Sequence, residues 1–322
     1  MNNTDNQYIE LLQDILTNGI DKKDRTGVGT RSVFGRELRF NLQEGFPILT
    51  TKKIHWKSVV YELLWMLAGD TNIKYLNDNK VTIWDEWADK NGSIGPGYGK
   101  QWRNWTNKTI IKHEYGGSTA YKEFSFDVDQ FKVLINNLQN NPDSRRLLIS
   151  AWAVHQLEFM KLPPCHYAME FYTQEMTIKE RFNCVQTNHE LREDNKVQLN
   201  LMFDDLSVPK RKLSCKVIQR SADCFLGVPF NIAQYALLTH IVANMVNMVP
   251  HELIWSGGDV HIYNNHFEQV GEQVSREPFD LPTLKIHKNI TLDMIDEKSL
   301  TLEDFELINY KYHPSIKAEV AV

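Results

Sequence analysis

Helix-like and strand-like apolar patterns alternate along all 322 residues, and no internal repeat, low-complexity tract or Pro/Ser-rich linker separates them. Apolar residues at helical spacing predict helices at 8–16, 55–67, 131–138, 231–248 and 265–275. Alternating or short apolar runs predict strands at 38–42, 147–152, 166–172, 213–219, near 254 and at 284–286. Because helices and strands are mixed throughout, residues 1–322 are predicted to form a single α+β domain, a large mixed β-sheet with helices packed against it.

The composition excludes several classes of protein. Hydrophobic residues make up 42% and charged residues 24%, as in soluble globular proteins, and the formal net charge is −5. A chain of this charge has no overall attraction to nucleic acid or to an anionic membrane, so neither is predicted as a required partner. The apolar runs are too short for a membrane span and the first ten residues lack the order of a signal peptide, which predicts a cytoplasmic protein.

One cysteine stands out by its local sequence. The chain holds four cysteines: Cys165, Cys184, Cys215 and Cys224. Their spacing matches neither a zinc site nor a disulfide framework, so no metal is predicted. Cys165 follows Pro163 and Pro164, which fix the backbone and suit a nucleophile, although a small buried thiol is the commoner use of cysteine. His166 follows it in a strand and should face the other way, which argues against a cysteine-protease pair.

Arginines and an asparagine offer contacts for an anionic nucleotide. A nucleophilic thiol needs a cation nearby, and Arg220 is a candidate on a neighbouring strand. Taken singly, four arginines look like surface residues: Arg25, Arg145, Arg146 and Arg220. Together, their guanidinium groups match the oxygens of a phosphate. Asn231 is predicted either to cap the helix that begins there or to read uracil, whose O4 acceptor and N3–H donor complement its amide.

Two further features fit both a plain core and an active site. Glu62 lies among apolar residues of its helix, so it either faces solvent or belongs to a buried polar network with a raised pKa. The segment around Trp84 and Trp87 is aromatic, as in a core or in a pocket for a flat heterocycle.

Residues 175–212 look like a surface insertion. The segment is rich in charge and lies between two strand candidates that a short turn would join. The alternation of Val197, Leu199 and Leu201 predicts at least one extra strand within it.

Set side by side, these segments resemble the thymidylate synthase family. The matching stretches are DRTGVGT, FPILTTKKIHWKSVVYELLWMLAGDTNI, TIWDEWAD, GPGYGKQWR, DSRRLLISAW, LPPCH, QRSADCFLGVPFNIAQYALLTHIVA, GGDVHIYNNH and HPSIKAEVAV. They occur in the family's order between residues 24 and 322, so the resemblance covers most of the chain. It implies the family's α+β fold and its reaction, reductive methylation of dUMP to dTMP with 5,10-methylenetetrahydrofolate as co-substrate.

The resemblance also implies roles for individual residues. In it Cys165 adds to C6 of the uracil ring, and the folate donates both the one-carbon unit and a hydride, leaving dihydrofolate. The residues implied in catalysis are Cys165, Glu62, Tyr98, His166, Arg220, Asn231 and Asp223. Those implied in binding dUMP are Arg25, Arg145, Arg146, Arg220, Ser221, Asn231, His261 and Tyr263. Those implied in binding the folate are Lys52, Ile83, Trp84, Trp87, Asp223, Gly227, Phe230 and the C-terminal Val322. Because the family is homodimeric, Arg145 and Arg146 are expected to reach the partner's site.

Three positions depart from the family's pattern, and two other functions compete with methylation. Glu170 stands where the family has glutamine, Ile218 replaces a usual tyrosine, and the insertion replaces a short turn. The nearest alternative is a dUMP hydroxymethylase, in which water rather than hydride adds to the exocyclic methylene. The other is a non-catalytic descendant that binds nucleotide or RNA, although Cys165, Glu62 and Tyr98 are all present. Cytosine hydroxymethylation fits less well, because Asn231 is an amide and not a carboxylate.

Overall fold

The structure is a computed structural model that describes residues 2–24, 26–115, 118–185 and 196–320. Its α-helices are α1 (Asn3–Asn18), α2 (Trp56–Leu67), α3 (Lys74–Asp78), α4 (Tyr98–Arg103), α5 (Gln130–Asn140), α6 (Ile178–Cys184), α7 (Lys196–Asp205), α8 (Gly227–Met245), α9 (Phe267–Val274) and α10 (Leu292–Asp296). Its strands are β1 (Ile20–Lys22), β2 (Thr30–Asn41), β3 (Trp105–Tyr115), β4 (Ser118–Val128), β5 (Leu148–Ser150), β6 (His166–Glu175), β7 (Arg211–Asp223), β8 (Val249–Tyr263), β9 (Thr283–Ile286) and β10 (Phe305–Ile308).

Six strands form one mixed sheet in the order β1-β2-β8-β7-β6-β5. Strands β7 and β8 run parallel, and the other neighbouring pairs are antiparallel. A parallel pair needs a crossover connection, which α8 supplies between β7 and β8. The mixed sheet and its helices confirm the predicted α+β single-domain fold.

The core lies on one face of this sheet. Helix α8 packs on β7, β8 and α2, and α1 packs on β2 and β8. Residues at every second position of the central strands point into this layer, such as Val217 on β7 and Trp255 on β8, and both are fully buried. Because α8 is enclosed between the sheet and α2, it is apolar on nearly all sides rather than on one stripe.

The opposite face of the sheet is open. On β6 Tyr172 is 64% exposed, on β5 Leu148 is 44% exposed, and on β2 Phe34 is 84% exposed. A cavity of about 490 Å³ lies on this face, lined by residues that include Arg145 and Glu170. Exposed apolar side chains around a cavity are typical of a surface that another molecule covers.

The long elements are where the sequence predicted them. The predicted helices fall in α1, α2, α5, α8 and α9, and the predicted strands fall in β2, β5, β6, β7, β8 and β9. The two-stranded hairpin of β3 and β4 was not predicted. The alternation of Phe124, Phe126 and Val128 is the signal that indicates it.

The prediction of a strand in the insertion is wrong, because residues 196–205 form helix α7. Leu199 and Phe203 are four residues apart and share one face of that helix. Phe203 is fully buried, and the guanidinium of Arg181 on α6 lies 5.2 Å from its ring centroid. Leu201, which a strand would place on the same side as Leu199, is 61% exposed.

Asn231 is not the N-cap of the long helix. Helix α8 begins at Gly227, so Asn231 lies in its second turn. Pro229 fits the first turn, where a missing N–H leaves no intrahelical bond unmade. The amide of Asn231 is therefore not needed for capping.

Candidate active site

The backbone of Cys165 is fixed from both sides just before β6. Its N–H donates to Tyr98 Oη at 2.8 Å, and its carbonyl accepts from the N–H of Arg220 at 2.8 Å. The Arg220 guanidinium donates through Nε and Nη2 to the carbonyls of Pro164 and Pro163, each at 2.9 Å. The cation therefore lies beside the loop that carries the thiol, as activation of a thiolate requires.

The other three cysteines lie in different surroundings. Cys215 and Cys224 are buried and Cys184 is exposed. Burial raises the pKa of Cys215 to about 12 and that of Cys224 well above its usual value. These two thiols are therefore inert. The pKa of Cys184 is raised by partial burial and by the charge of Glu180, although Arg181 acts to lower it. Cys165 is the cysteine whose own loop is hydrogen-bonded to a guanidinium.

His166 is buried and uncharged. Its ring stacks on Tyr98 with centroids 4.3 Å apart, and its Nδ1 lies 2.8 Å from Tyr235 Oη. Burial lowers the pKa of His166 to about 3, so the ring is neutral at physiological pH. The contact with Tyr235 was not predicted, because in the sequence this tyrosine looks like one more apolar-face residue of α8.

Glu62 on α2 belongs to a buried polar network, which is one of the two interpretations that its sequence allows. Its Oε1 accepts from Trp84 Nε1 at 2.6 Å, and its Oε2 accepts from Gln234 Nε2 at 2.7 Å. Burial raises the pKa of Glu62 to about 7, although both hydrogen bonds act to lower it. A carboxyl group with this pKa exchanges its proton near neutral pH, as a general acid or base must. Gln234 was not predicted as a site residue.

A relay of three side chains fixes the amide of Asn231. The indole of Trp255, which can only donate, reaches Gln219 Oε1 at 2.8 Å. Gln219 Nε2 must then point the other way, and it donates to Asn231 Oδ1 at 3.1 Å. Asn231 Nδ2 is thereby directed away from Gln219. Neither Gln219 nor Trp255 was predicted as a site residue.

The ends of β7 and β8 bring the predicted sugar and phosphate contacts together. Ser221 pairs with Asp259, and Asp223 pairs with His261. His261 Nδ1 lies 3.1 Å from Asp259 Oδ1, which favours the proton on that nitrogen and leaves Nε2 as an acceptor. The rings of His261 and Tyr263 meet edge to face with centroids 5.3 Å apart.

Asp223 and Lys52 meet at the start of α8. Asp223 Oδ1 accepts from the amides of Phe225 at 2.9 Å and Leu226 at 3.1 Å. Within the described part of the chain its Oδ2 accepts no hydrogen bond. Lys52 is 5% exposed and donates to the Phe225 carbonyl, and burial lowers its pKa to about 7 although the charge of Asp223 raises it. Its ammonium therefore lies inside the protein, and its contact with the folate stays a prediction.

The predicted aromatic wall is partly exposed. Ile83 is 43% exposed, Trp87 and Phe230 are half-buried, and Trp84 is buried with its indole on Glu62. A Cβ on Gly227 would lie 3.7 Å from the Cβ of Asp223. The absence of a side chain at Gly227 thus keeps space open beside that carboxylate.

Two predicted residues, Arg25 and Val322, lie outside the described residues. The described chain on either side of Arg25 is held by Asp24, which accepts from the N–H of Gly29 at 2.8 Å. Before Val322, the carbonyl of Glu319 lies 2.8 Å from His266 Nε2.

Arg145 and Arg146 are far from the thiol of their own chain. Both are exposed in the turn before β5, and Leu148 of β5 pairs with Glu170 of β6. Arg146 is therefore level with Tyr172, seven residues along β6 from Cys165, which corresponds to about 23 Å. One arginine side chain cannot span this distance.

Of the two departures on the sheet, Glu170 is remote from Cys165, whereas Ile218 pairs with Ala168, three residues from the cysteine. Glu170 is exposed on the open face, where it pairs with Leu148 and Lys216. It lies five residues along β6 from Cys165, about 17 Å away. Ile218 is half-buried on β7. Glu170 thus adds its charge to the open face and not to the surroundings of the thiol.

Neither a metal cluster nor a membrane span is found in the described part of the chain. No group of three or more His, Cys, Asp or Glu side chains there could hold a metal ion. No helix among residues 2–24, 26–115, 118–185 and 196–320 is long and apolar enough to cross a membrane.

Comparison with known proteins gives one family. Residues 6–322 match the family described as Thymidylate synthase. Two curated relatives named Thymidylate synthase, from Coxiella burnetii strains Dugway 5J108-111 and RSA 493, are each 51% identical over 319 residues. Each alignment covers 98% of this chain and 99% of the relative.

Proposed function

This chain belongs to the thymidylate synthase family, whose members are methyltransferases that act on dUMP, and on that premise we propose that it makes dTMP by reductive methylation through a covalent Cys165 adduct. The observation that carries the proposal is the fixed Asn231 amide beside the strand that carries Arg220 and Ser221. This arrangement offers a uracil donor–acceptor pair and a phosphate cation within one site.

Cys165 is the proposed nucleophile. Its sulfur adds to C6 of the uracil ring, and C5 then becomes electron-rich and forms the new carbon–carbon bond. Arg220 favours the thiolate because its guanidinium is hydrogen-bonded to the two carbonyls immediately before the cysteine. The bonds to Tyr98 and Arg220 hold the backbone, so little ordering is needed at the moment of attack.

Asn231 is proposed to select uracil over cytosine. Gln219 occupies one side of its Oδ1, so Nδ2 is directed away from Gln219 and toward the base. Nδ2 then donates to O4, and Oδ1 accepts from N3–H. Cytosine presents an amino group in place of O4, which would meet the Nδ2 donor and leave both groups unpaired.

The phosphate and the sugar are proposed to lie at the ends of β7 and β8. Arg25, Arg220 and Ser221 bind the phosphate, whose charge at neutral pH is about −1.5 to −2. Arg220 keeps Nη1 for this contact, because among the described residues only its Nε, Nη2 and backbone N–H donate. His261 Nε2 and Tyr263 bind the 3′-hydroxyl of the deoxyribose.

Glu62, Tyr98 and His166 are proposed to handle protons. Glu62 moves a proton to and from the base through ordered water shared with His166 and Asn231, since its pKa is about 7. Tyr98 assists removal of the C5 proton, and its hydroxyl is held at the Cys165 backbone. His166 acts as a neutral hydrogen-bonding group.

The residues near Asp223 fit a reduced folate. Asp223 Oδ2 suits the N–H groups of a pterin, and Ile83, Trp87 and Phe230 offer apolar surface for its flat rings. Gly227 keeps that surface clear, Trp84 borders it, and Lys52 and Val322 are proposed to meet the outer part of the molecule. When bound, 5,10-methylenetetrahydrofolate supplies the one-carbon unit and the hydride. No metal is proposed.

We propose that the protein acts as a homodimer through the open face of its sheet. Arg145 lines the cavity on that face, and its neighbour Arg146 lies about 23 Å along the sheet from Cys165 of the same chain. Back-to-back packing of two such faces would carry Arg145 and Arg146 across to the partner's phosphate site. Each active site would then contain residues of both chains.

Mixing two inactive variants should restore activity. Cys165→Ser has no nucleophile and Arg145→Ala/Arg146→Ala lacks the phosphate contacts, but a mixed dimer has one site with an intact cysteine and intact partner arginines. After equal mixing and subunit exchange, random pairing gives about a quarter of wild-type activity, measured as dTMP formation. Cys165→Ser mixed with Glu62→Gln is the control, because both residues belong to the same chain's site and no site is repaired. Recovery no greater than in this control would contradict the shared site.

Product analysis separates the proposed reaction from its alternatives. We expect mass spectrometry to show that the nucleotide gains a methyl group while dihydrofolate forms in equal amount. A hydroxymethyl product with tetrahydrofolate would instead identify a dUMP hydroxymethylase. Binding of dUMP without any product would identify a nucleotide- or RNA-binding descendant. The proposed reaction needs neither nucleic acid nor a membrane, and a cytoplasmic location is proposed with it.

A further inference from the structure

The hydrogen bonds of Glu62 determine which of its oxygens can carry a proton. Trp84 Nε1 donates to Oε1 at 2.6 Å, and an indole N–H can only donate. The indole cannot become an acceptor, whereas the amide beside Oε2 can, so the neutral carboxyl group is better paired with its proton on Oε2. The partner of Oε2 is Gln234, whose Nε2 lies 2.7 Å away.

Gln234 can serve both forms of this carboxyl group. With Nε2 toward Oε2 the amide donates to the carboxylate, and turned over it would present Oε1 to accept from the acid's O–H. Gln234 is 1% exposed, and its Oε1 has no hydrogen-bond partner among the described residues. Each orientation leaves one amide atom without such a partner. The bond from Nε2 to the carboxylate is charge-assisted, so it is the stronger of the two bonds that the amide can make to this group.

We propose that Gln234 is a positioning residue for Glu62, which holds Oε2 in line for proton transfer and turns its amide over as the carboxyl group gains or loses its proton. The inference rests on the proposed function, in which Glu62 moves a proton. Because Gln234 is 1% exposed, it is proposed to act through Glu62 rather than by direct contact with substrate or folate.

The other groups around Glu62 do not compete for this role. Tyr98 on α4 and Tyr235 on α8 feel the charge of Glu62, which raises the pKa of both further above values already raised by burial. His166 is neutral and bonded to Tyr235. No lysine, arginine or histidine forms an ion pair with Glu62 in the described part of the chain, so Gln234 is the partner that changes with its protonation.

Infrared difference spectroscopy of the whole enzyme tests this directly. The carboxylic-acid band of Glu62, identified by its loss in Glu62→Gln, gives the pH midpoint of ionisation. In Gln234→Met the carboxylate loses a donor, so the midpoint should rise by about one pH unit. In Gln234→Glu two carboxyl groups would share one proton, so the midpoint should rise further. This variant keeps the side-chain length and serves if the methionine variant folds poorly.

A matched control comes from α9. Gln273 is also fully buried, donates through Nε2 to Thr51 Oγ1 at 3.1 Å, and leaves its Oε1 without a hydrogen-bond partner in the described chain. Gln273→Met should leave the Glu62 midpoint unchanged. An unmoved midpoint in both Gln234 variants, or an equal shift in Gln273→Met, would overturn the inference.

Turnover separates this inference from the proposed function. If the pH profile of kcat shifts with the infrared midpoint, both are supported. If the midpoint shifts and the profile does not, Gln234 holds Glu62 as inferred, but Glu62 is not the proton-transfer group.

Discussion

Replacing Cys165 with serine is expected to lower turnover of dUMP by at least about 10³-fold, because a serine hydroxyl is far less ionised than a thiol beside the same guanidinium. The variant should also lose the ability to form the covalent adduct with the nucleotide. Incubation of the wild-type enzyme with 5-fluoro-dUMP and 5,10-methylenetetrahydrofolate should give an intact mass that includes both compounds. The variant should keep the mass of the unmodified chain.

Cys184→Ser is the matched control for this substitution. Cys184 is exposed on the insertion, so its replacement should change neither the rate nor the adduct. If Cys165→Ser forms the same adduct as the wild type, the proposal that catalysis uses this thiol is wrong.

Replacing Asn231 with aspartate should shift base preference toward dCMP. The carboxylate keeps the bond from Gln219 but has no N–H to give to O4 of uracil, and it can accept from the amino group of cytosine. Each matched base contact is worth about 1–3 kcal/mol, so the ratio of kcat/KM for dUMP over dCMP should fall on the order of 10²-fold. Steady-state kinetics with both nucleotides measures this ratio.

Asn244→Asp provides the comparison on the same helix. Asn244 accepts from the N–H of Ile290 at 2.8 Å near the end of α8, far from Asn231 along the helix, so its replacement should leave base preference unchanged. An unaltered preference in Asn231→Asp would show that another group reads the base.

The large sheet could be predicted from the sequence because its signals are local. Strands β6 and β7 are apolar runs whose alternate residues are buried, and α8 is a long apolar segment. The insertion was harder, since the alternation of three apolar residues favours a strand although the segment forms a helix. The helix buries Phe203 against Arg181, a contact between residues 22 positions apart that the local pattern does not reveal.

The site was predictable only where a residue's local sequence marks its chemistry. The two prolines single out Cys165, and an acid among apolar residues singles out Glu62. The partners that fix these groups are ordinary residues until the fold joins them. Gln234 lies 172 residues from Glu62, and Trp255 lies 36 residues from Gln219. No local pattern relates such pairs, so the residues that orient the site could not be predicted from it.

The side chain of Arg220 has two roles, one observed and one proposed, and a substitution there would affect both. The same guanidinium ties down the proline carbonyls before Cys165 and, in the proposed complex, receives the phosphate. A lineage under pressure from an inhibitor that mimics the phosphate cannot discard this contact without loosening the nucleophile's own support. Resistance would have to arise elsewhere, so compounds anchored on this arginine leave the organism few routes of escape.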